Sequence, residues 1–303
     1  MTPDELRAGL AKLGVKRMLF AIHDVSFPSD PDEDIGRGSP ATKAAQRLFG
    51  YVKELGFTGV QLGPQGQTSR SNPSPYDSTI FSRSVGNIAL GSFHRGGAFE
   101  GLVSPVDLEA VLVEPPRGHA RHRHAYDTSW QLITVAYNAL MSGMRPDLKT
   151  QLRDFMKAQS WWLVPDAVHA ALATKLYRGA GFREWPETER ELWAREDTAL
   201  LEVLERIHWR FVERYSLGQL FAHMEHERLR RICKLQLYGD MQVGYSDADA
   251  WHYSNVFLPG YRMGAPPSRT NPDGQPWGYP ALHPSLLTLK AGALVVARAE
   301  KAF

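Results

Sequence analysis

Three stretches gather side chains able to grip a ligand rich in hydroxyl groups. The first runs Tyr238-Gly-Asp-Met-Gln-Val-Gly-Tyr-Ser-Asp-Ala-Asp-Ala-Trp251. Asp240 follows a short apolar run after one glycine, Asp247 and Asp249 come next, and Trp251 closes the stretch. Ionised carboxylates accept hydrogen bonds from hydroxyls, and an indole offers a flat apolar face on which a sugar ring can stack or against which it can be walled in. Asp247 and Asp249 are equally suited to capping the next helix, and both uses stay open. Asp240 is harder to explain as a bystander, because a charge at the mouth of a buried strand is costly unless it is used.

The second stretch spans Gln61 to Asp77 and ends Ser74-Pro75-Tyr76-Asp77. Its glycines and prolines fix an extended loop, so Tyr76 is presented rigidly, either as a stacking ring or as a side chain packing the loop down. The third holds Gly264-Ala-Pro-Pro-Ser268 and Gly274-Gln-Pro-Trp-Gly278, a loop with little conformational freedom. Trp277, between Pro276 and Gly278, is awkward for a core and suited to a platform. The candidate substrate-binding residues are therefore Tyr76, Asp240, Asp249, Trp251 and Trp277.

These loops need strands to hold them. Met18–Ile22, Thr58–Leu62 and Leu235–Tyr238 are short apolar runs ending in polar or glycine residues, as buried parallel strands do. Between the first two lies a helix, with Ser39 as its cap, Pro40 at its first position, Gly56 at its end, and Ala45, Leu48, Val52 and Leu55 as its apolar stripe. Strand, helix, strand in this order is a βαβ unit. Phe221, Met224, Leu229 and Ile232 mark the helix before the third strand. About 170 residues separate strands two and three, far beyond an ordinary connection, so inserted structure lies there. Loops are expected from Gly63 to about Arg145, and mostly helix from Asp147 to Gln219. Insertions after barrel strands commonly build the substrate cleft. The expected division is a first βαβ unit (1–62), an inserted loop and helical subdomain lining the cleft (63–217), and the third strand with its loops and following helix (218–303).

Composition narrows the partners. With 43% hydrophobic residues and a formal net charge of +2, the chain can build a sizeable core and offers no general basic face for nucleic acid. The basic block Arg117 to His124 is the local exception, with three Arg and three His. It reads as a solvated loop, with a metal or phosphate shell of His119, His122, His124 and Asp127 as the sharper alternative; the spacing fits no standard metal motif. No metal and no cofactor are therefore expected. Cys233 is the lone cysteine, the N-terminus has no apolar signal core, and no run is long enough to span a membrane, so a cytoplasmic protein is expected.

Taken together the stretches resemble the 4-α-glucanotransferase family, also known as amylomaltases or disproportionating enzymes. Its Leu-Gly-Pro and Ser-Pro-Tyr motifs stand here as Leu62-Gly63-Pro64 and Ser74-Pro75-Tyr76. Its Gly-Asp and Ser-Ala-Asp-Val-Trp motifs resemble Gly239-Asp240 and Ser246–Trp251. Its Pro-Pro-Asp and Gly-Gln-x-Trp-Gly-x-Pro motifs resemble Pro266-Pro267-Ser268 and Gly274–Pro280. Ile35-Gly36, Trp161-Trp162-Leu163 and Glu184-Trp185-Pro186 are further echoes. The sequence departs from the family at His23-Asp24, at Ser268 and in the basic block.

The resemblance implies an α/β fold, a partial (β/α)8 TIM barrel comprising its first three strands, with a large, partly helical insertion. It implies transfer of α-1,4-glucan segments between maltodextrins with retention, which takes a nucleophile and an acid/base carboxyl about 5–5.5 Å apart. Asp240 and Trp277 would contact glucose near the cleavage point, and Tyr76 would stack on a bound sugar. The nucleophile lies in an Arg-x-Asp-His motif on the family's fourth strand. Only 26 residues follow Trp277, Glu300 is their sole carboxylate side chain, and no Arg-x-Asp occurs among them. Ser285 to Ala302 reads as the helix preceding that fourth strand, covered on several sides. No catalytic residue is therefore expected in this chain, which would be inactive alone, or be a maltodextrin-binding fragment, or be completed by a second polypeptide. A metal-dependent deacetylase using His23-Asp24 is the reading from another class, without a companion His-x3-His pair.

Overall fold

The computed structural model describes residues 2–114, 118–194 and 197–302, so Arg117 of the basic block lies outside the described residues, with Pro115 and Pro116 before it. In chain order the elements are α1 (Pro3–Lys12), β1 (Leu19–Ile22), α2 (Lys43–Glu54), β2 (Gly59–Leu62), α3 (Pro105–Glu109), α4 (His122–Met141) and α5 (Pro146–Ala171). There follow α6 (Glu187–Arg190), α7 (Asp197–Ile207), α8 (Trp209–Ile232), β3 (Gln236–Tyr238), α9 (Asp247–His252), β4 (Phe257–Ala265), β5 (Gln275–Leu282) and α10 (Lys290–Ala302). Two compact units share them. One comprises Met1–Pro75, Arg83–Ala158 and Ser216–Asp240; the other comprises Tyr76–Ser82, Gln159–Tyr215 and Met241–Phe303.

The first unit holds the parallel sheet β1-β2-β3, with Phe20 opposite Val60 and Val60 opposite Leu237. The three strands are those read from sequence, each one residue shorter at its start. Beneath them, Ala45 and Phe49 of α2 pack with Phe27, Val60, Leu62, Leu229 and Cys233, and Leu48 lies against this cluster. The start of α2 differs from expectation. Thr42 is its cap, accepting from the Ala45 amide at 3.1 Å. The Ser39 hydroxyl is committed elsewhere: it donates to the Asn87 carbonyl at 2.9 Å and accepts from the Ala41 amide. Pro40 thus sits in the turn before the helix. Gly56, at φ +96°, ends it in the left-handed conformation that glycine adopts without strain.

A second core in this unit is larger and corrects the loop expected from Gly63 to Arg145. Helix α4 falls within that span and buries Ala125, Leu132, Ile133, Ala136, Tyr137 and Leu140 at helical spacing. Phe99 stacks on Phe221 of α8 at 3.9 Å between ring centroids, with Phe93 against both. The periodicity was masked by Thr128 and Ser129 on the buried face and by a first turn made of His122, Arg123 and His124. Helix α8 serves both cores, Phe221 and Met224 in this one and Leu229 and Ile232 under the sheet.

The second unit has an aromatic core. Trp251 lies edge-on to Trp185 and Trp193, with centroids 5.7 and 5.3 Å away, while Phe81 packs against Trp161, Trp162 and Tyr253. The Gly- and Pro-rich stretch 264–278, expected as a loop, contributes to an antiparallel hairpin in which Gly264 pairs with Pro276 and Ala265 with Gln275. Its register slips between Phe257 and Gly264, which lets a proline-bearing strand pair at all. Helix α10 starts at Lys290, after a single turn at Pro284–Leu286, and buries one stripe of Ala291, Leu294 and Arg298 while Val296 stays exposed. One covered face thus replaces the several expected.

Candidate functional site

The most elaborate part of the second unit surrounds Tyr76–Ser82. Tyr76 is itself 42% exposed. Behind it, the Gln242 amide donates to the Ser78 carbonyl at 2.6 Å, and the Lys301 ammonium donates to the Ile80 carbonyl at 2.6 Å. The Ile80 amide donates to Asp249 Oδ1 at 3.2 Å. The Ser82 hydroxyl donates to Asp166 Oδ2 at 2.5 Å and accepts from the Tyr215 hydroxyl at 2.9 Å. A loop ring is thus carried by backbone that is pinned from α5, α8, α9 and α10.

Asp249 and Trp251, expected at the substrate, lie inside this framework. Asp249 is 1% exposed and forms the capping box of α9: the Ser246 amide and hydroxyl donate to its Oδ2 at 3.0 and 2.7 Å. Of the two uses left open for it, capping is the one the geometry occupies. Burial pushes its carboxyl up, opposed by those hydrogen bonds and by Arg298. Trp251 is also 1% exposed, and its indole N–H donates to the Glu189 carbonyl at 2.7 Å. Asp247 stays at the surface, paired with Arg183 at 2.7 Å.

Trp277 stands on β5 and is 44% exposed. Two residues on, the Tyr279 hydroxyl donates to Asp77, the residue after Tyr76. The strand carrying one expected platform is thereby fastened to the loop carrying the other. Gly244 permits this, since a Cβ there would lie 2.7 Å from the Tyr279 ring. Asp240 is half-buried just beyond β3 and belongs to the first unit, whereas the other four candidates belong to the second.

Asp24, also in the first unit, is 7% exposed and held by Asn87 Nδ2 at 2.5 Å and by Gln65 Nε2 at 3.2 Å. Burial pushes its carboxyl up while the Arg37 guanidinium pulls it down, and Arg37 also donates to Asn87 Oδ1 at 3.0 Å. Asp24 is thus spent on a buried polar network. Among the described residues no three His, Cys, Asp or Glu side chains gather as a metal site. In the basic block, His122 meets the Ser69 carbonyl at 2.8 Å, and Asp127 is taken by Arg70 through two bonds of 2.7 Å.

Sequence reasoning missed Asp166, Tyr215 and Tyr279. The first two sit mid-helix with no local signal, and Tyr279 occupies an unspecified position of the Gly274–Pro280 motif, which marks nothing about it. Asp166 is 6% exposed, and burial followed by the charge of Asp249 lifts it to about 7.

Known proteins resemble the chain throughout. The family model described as 4-alpha-glucanotransferase matches residues 22–301. The 4-alpha-glucanotransferase of Aquifex aeolicus is 31% identical over 272 residues, covering 86% of this chain and 51% of that protein. That of Thermus thermophilus is 26% identical over 278 residues, with the same shares. The chain therefore spans about half the length of these curated relatives. The amylomaltase of Streptococcus agalactiae, solved in complex with acarbose, superposes with a TM-score of 0.80 at 19% identity, over 94% of this chain and 57% of that one. The amylomaltase of Corynebacterium glutamicum gives 0.69 at 14% identity, over 99% and 40%. These likenesses and the three parallel strands show the partial TIM barrel, and the model match over nearly the whole chain decides the identity: this chain belongs to the 4-alpha-glucanotransferase family.

Proposed function

We propose that residues 1–303 form the part of a 4-alpha-glucanotransferase that grips the α-1,4-glucan, with Tyr76 and Trp277 as stacking rings and Asp240 as a hydroxyl acceptor. The observation that carries this reading is the exposure of Tyr76 and Trp277 on backbone fastened through Asp77 and Tyr279. Exposed large rings on rigid supports suit the apolar faces of sugars, because little freedom is lost on binding. Asp249 and Trp251 then act on glucan through the wall they build, and segment 63–217 lines the cleft.

Segment transfer with retention belongs, in this proposal, to the assembled enzyme. The nucleophile motif of the family does not occur after Trp277. Among the described residues β3 pairs with β2 alone, so its outer edge is open to a further barrel strand, from the same chain or from a second polypeptide. No helix among the described residues is long and apolar enough to cross a membrane. With the lone Cys233 buried as a free thiol, we place the protein in the cytoplasm.

Calorimetry with maltoheptaose tests the reading. The 303-residue chain should bind it, Trp277→Ala should bind at least roughly tenfold more weakly, and neither should disproportionate maltotriose. Absence of any heat with maltoheptaose would refute glucan binding, and maltotriose disproportionation by pure protein would refute the placement of the chemistry.

A further inference from the structure

Tyr76–Ser82 is a seven-residue excursion of the chain into the second unit. Its far end lies between two buried carboxylates. Asp249 accepts from the Ile80 amide, and Asp166 accepts from the Ser82 hydroxyl. The two are unequal in support. Asp249 has three hydrogen-bond donors, the Ile80 amide and the amide and hydroxyl of Ser246, with the positive charge of Arg298 nearby. Asp166 has two donors, the backbone and hydroxyl of Ser82, with the Lys301 ammonium as its nearby positive charge, and it faces the charge of Asp249. Two like charges in one buried site are not ionised together cheaply. The proton therefore goes to the less supported partner.

We propose that Asp166 and Asp249 act as a positioning pair for Tyr76: Asp249 ionised, Asp166 protonated, and the segment between them clamped so that the Tyr76 ring is held still. The use of that ring for glucan rests on the function proposed above; the clamp does not. The groups around Asp166 are Asp249 and Tyr253 from α9 and its end, Lys301 from α10, and Tyr215 from α8, which reaches it through Ser82. The Tyr253 hydroxyl is buried without a hydrogen-bond partner among the described residues, so it offers Asp166 no compensating bond that would favour ionisation.

The sign follows from the direction of the shift. The folded protein holds the Asp166 proton more tightly than the unfolded chain does. The clamp is then complete below the ordinary carboxylate range and weakens as pH rises toward about 7. Asp166→Asn keeps a neutral group of the same shape and should abolish this dependence.

Hydrogen–deuterium exchange of the peptide covering residues 76–82, corrected for intrinsic exchange, measures the clamp directly. Protection in the wild-type chain should fall at least roughly fivefold between about pH 5.5 and about pH 8, and should stay level in Asp166→Asn. Ser82→Ala, which removes the hydroxyl bond to Asp166 while leaving the Ser82 backbone bond and both carboxylates, should lower protection at both values. Level protection in the wild type, equal slopes in wild type and Asp166→Asn, or full protection in Ser82→Ala would each overturn the clamp. Maltoheptaose affinity should follow the same curve in the wild type and be flat in Asp166→Asn. A loosening segment with unchanged affinity would overturn the positioning of Tyr76. A loosening segment in a chain that binds no maltoheptaose would remove the glucan reading and leave the clamp standing.

Discussion

The Tyr279 hydroxyl donates to the Asp77 carboxylate, and that bond, with burial behind it, pushes the phenol up to about 12. It joins β5 to the segment bearing Tyr76, so the two exposed rings are mechanically coupled through neighbours of each. Tyr279→Phe removes the bond at a net cost of about 1 kcal/mol. Maltoheptaose affinity should drop roughly three- to tenfold. Gly244→Ala, which places a methyl against the same ring, should reproduce the defect, as calorimetry on both variants would show.

Two tryptophans separate binding from stability. Trp277→Ala removes a half-exposed ring and should leave the urea midpoint nearly unchanged while weakening glucan binding. Trp251→Ala empties a site 1% exposed and abandons the Glu189 carbonyl, so it should cost about 3–5 kcal/mol. Equal destabilisation by the two would show that Trp277 belongs to the core after all.

Burial raises the Asp24 carboxyl, and Arg37 opposes that rise by its charge while donating to Asn87, which in turn donates to Asp24. Arg37→Ala removes its bonds to Asn87 and Ser84 and its charge near Asp24, and should destabilise by about 1–3 kcal/mol. Adding Asp24→Asn should recover much of that loss. Urea unfolding of the single and double variants measures the coupling, and a purely additive pair would discard it.

Glu189 governs the acid side. Burial raises its carboxyl, but hydrogen bonds from Thr188, Arg206 and Tyr177 bring it net below the usual value. A group depressed in the folded state adds stability above its unfolded pKa, and that stability disappears as pH falls through the folded value. The urea midpoint should therefore decline as pH drops below about 4.5 in the wild type, and more shallowly in Glu189→Gln.

Much of the barrel portion was legible because local chemistry and tertiary role agreed there. β1, β2 and β3 are short, mostly apolar runs of which the central β2 is the buried one, and α2 shows a clean stripe ended by a left-handed glycine. Helix α4 stayed hidden because its buried face includes Thr128 and Ser129, whose hydroxyls are compatible with burial only once the helix supplies partners; Ser129 donates to the Ala125 carbonyl at 2.8 Å. The 264–278 hairpin was hidden by its prolines, which usually argue against strands.

The sequence by itself determined the family, the three strands, and the rings and carboxylates gathered in its three motifs, because each motif is contiguous along the chain. Only the tertiary structure decided what those residues do. Asp249 and Trp251 follow Asp240 by nine and eleven positions in one motif, yet they are buried as cap and core, while Tyr76 and Trp277, some 200 residues apart, are exposed and tethered through Asp77 and Tyr279. Asp166 drew no notice in its helix, and its carboxyl is raised only because packing buries it near the charge of Asp249. Burial and like-charge contact are properties of the packed chain, and no spacing along the sequence encodes them.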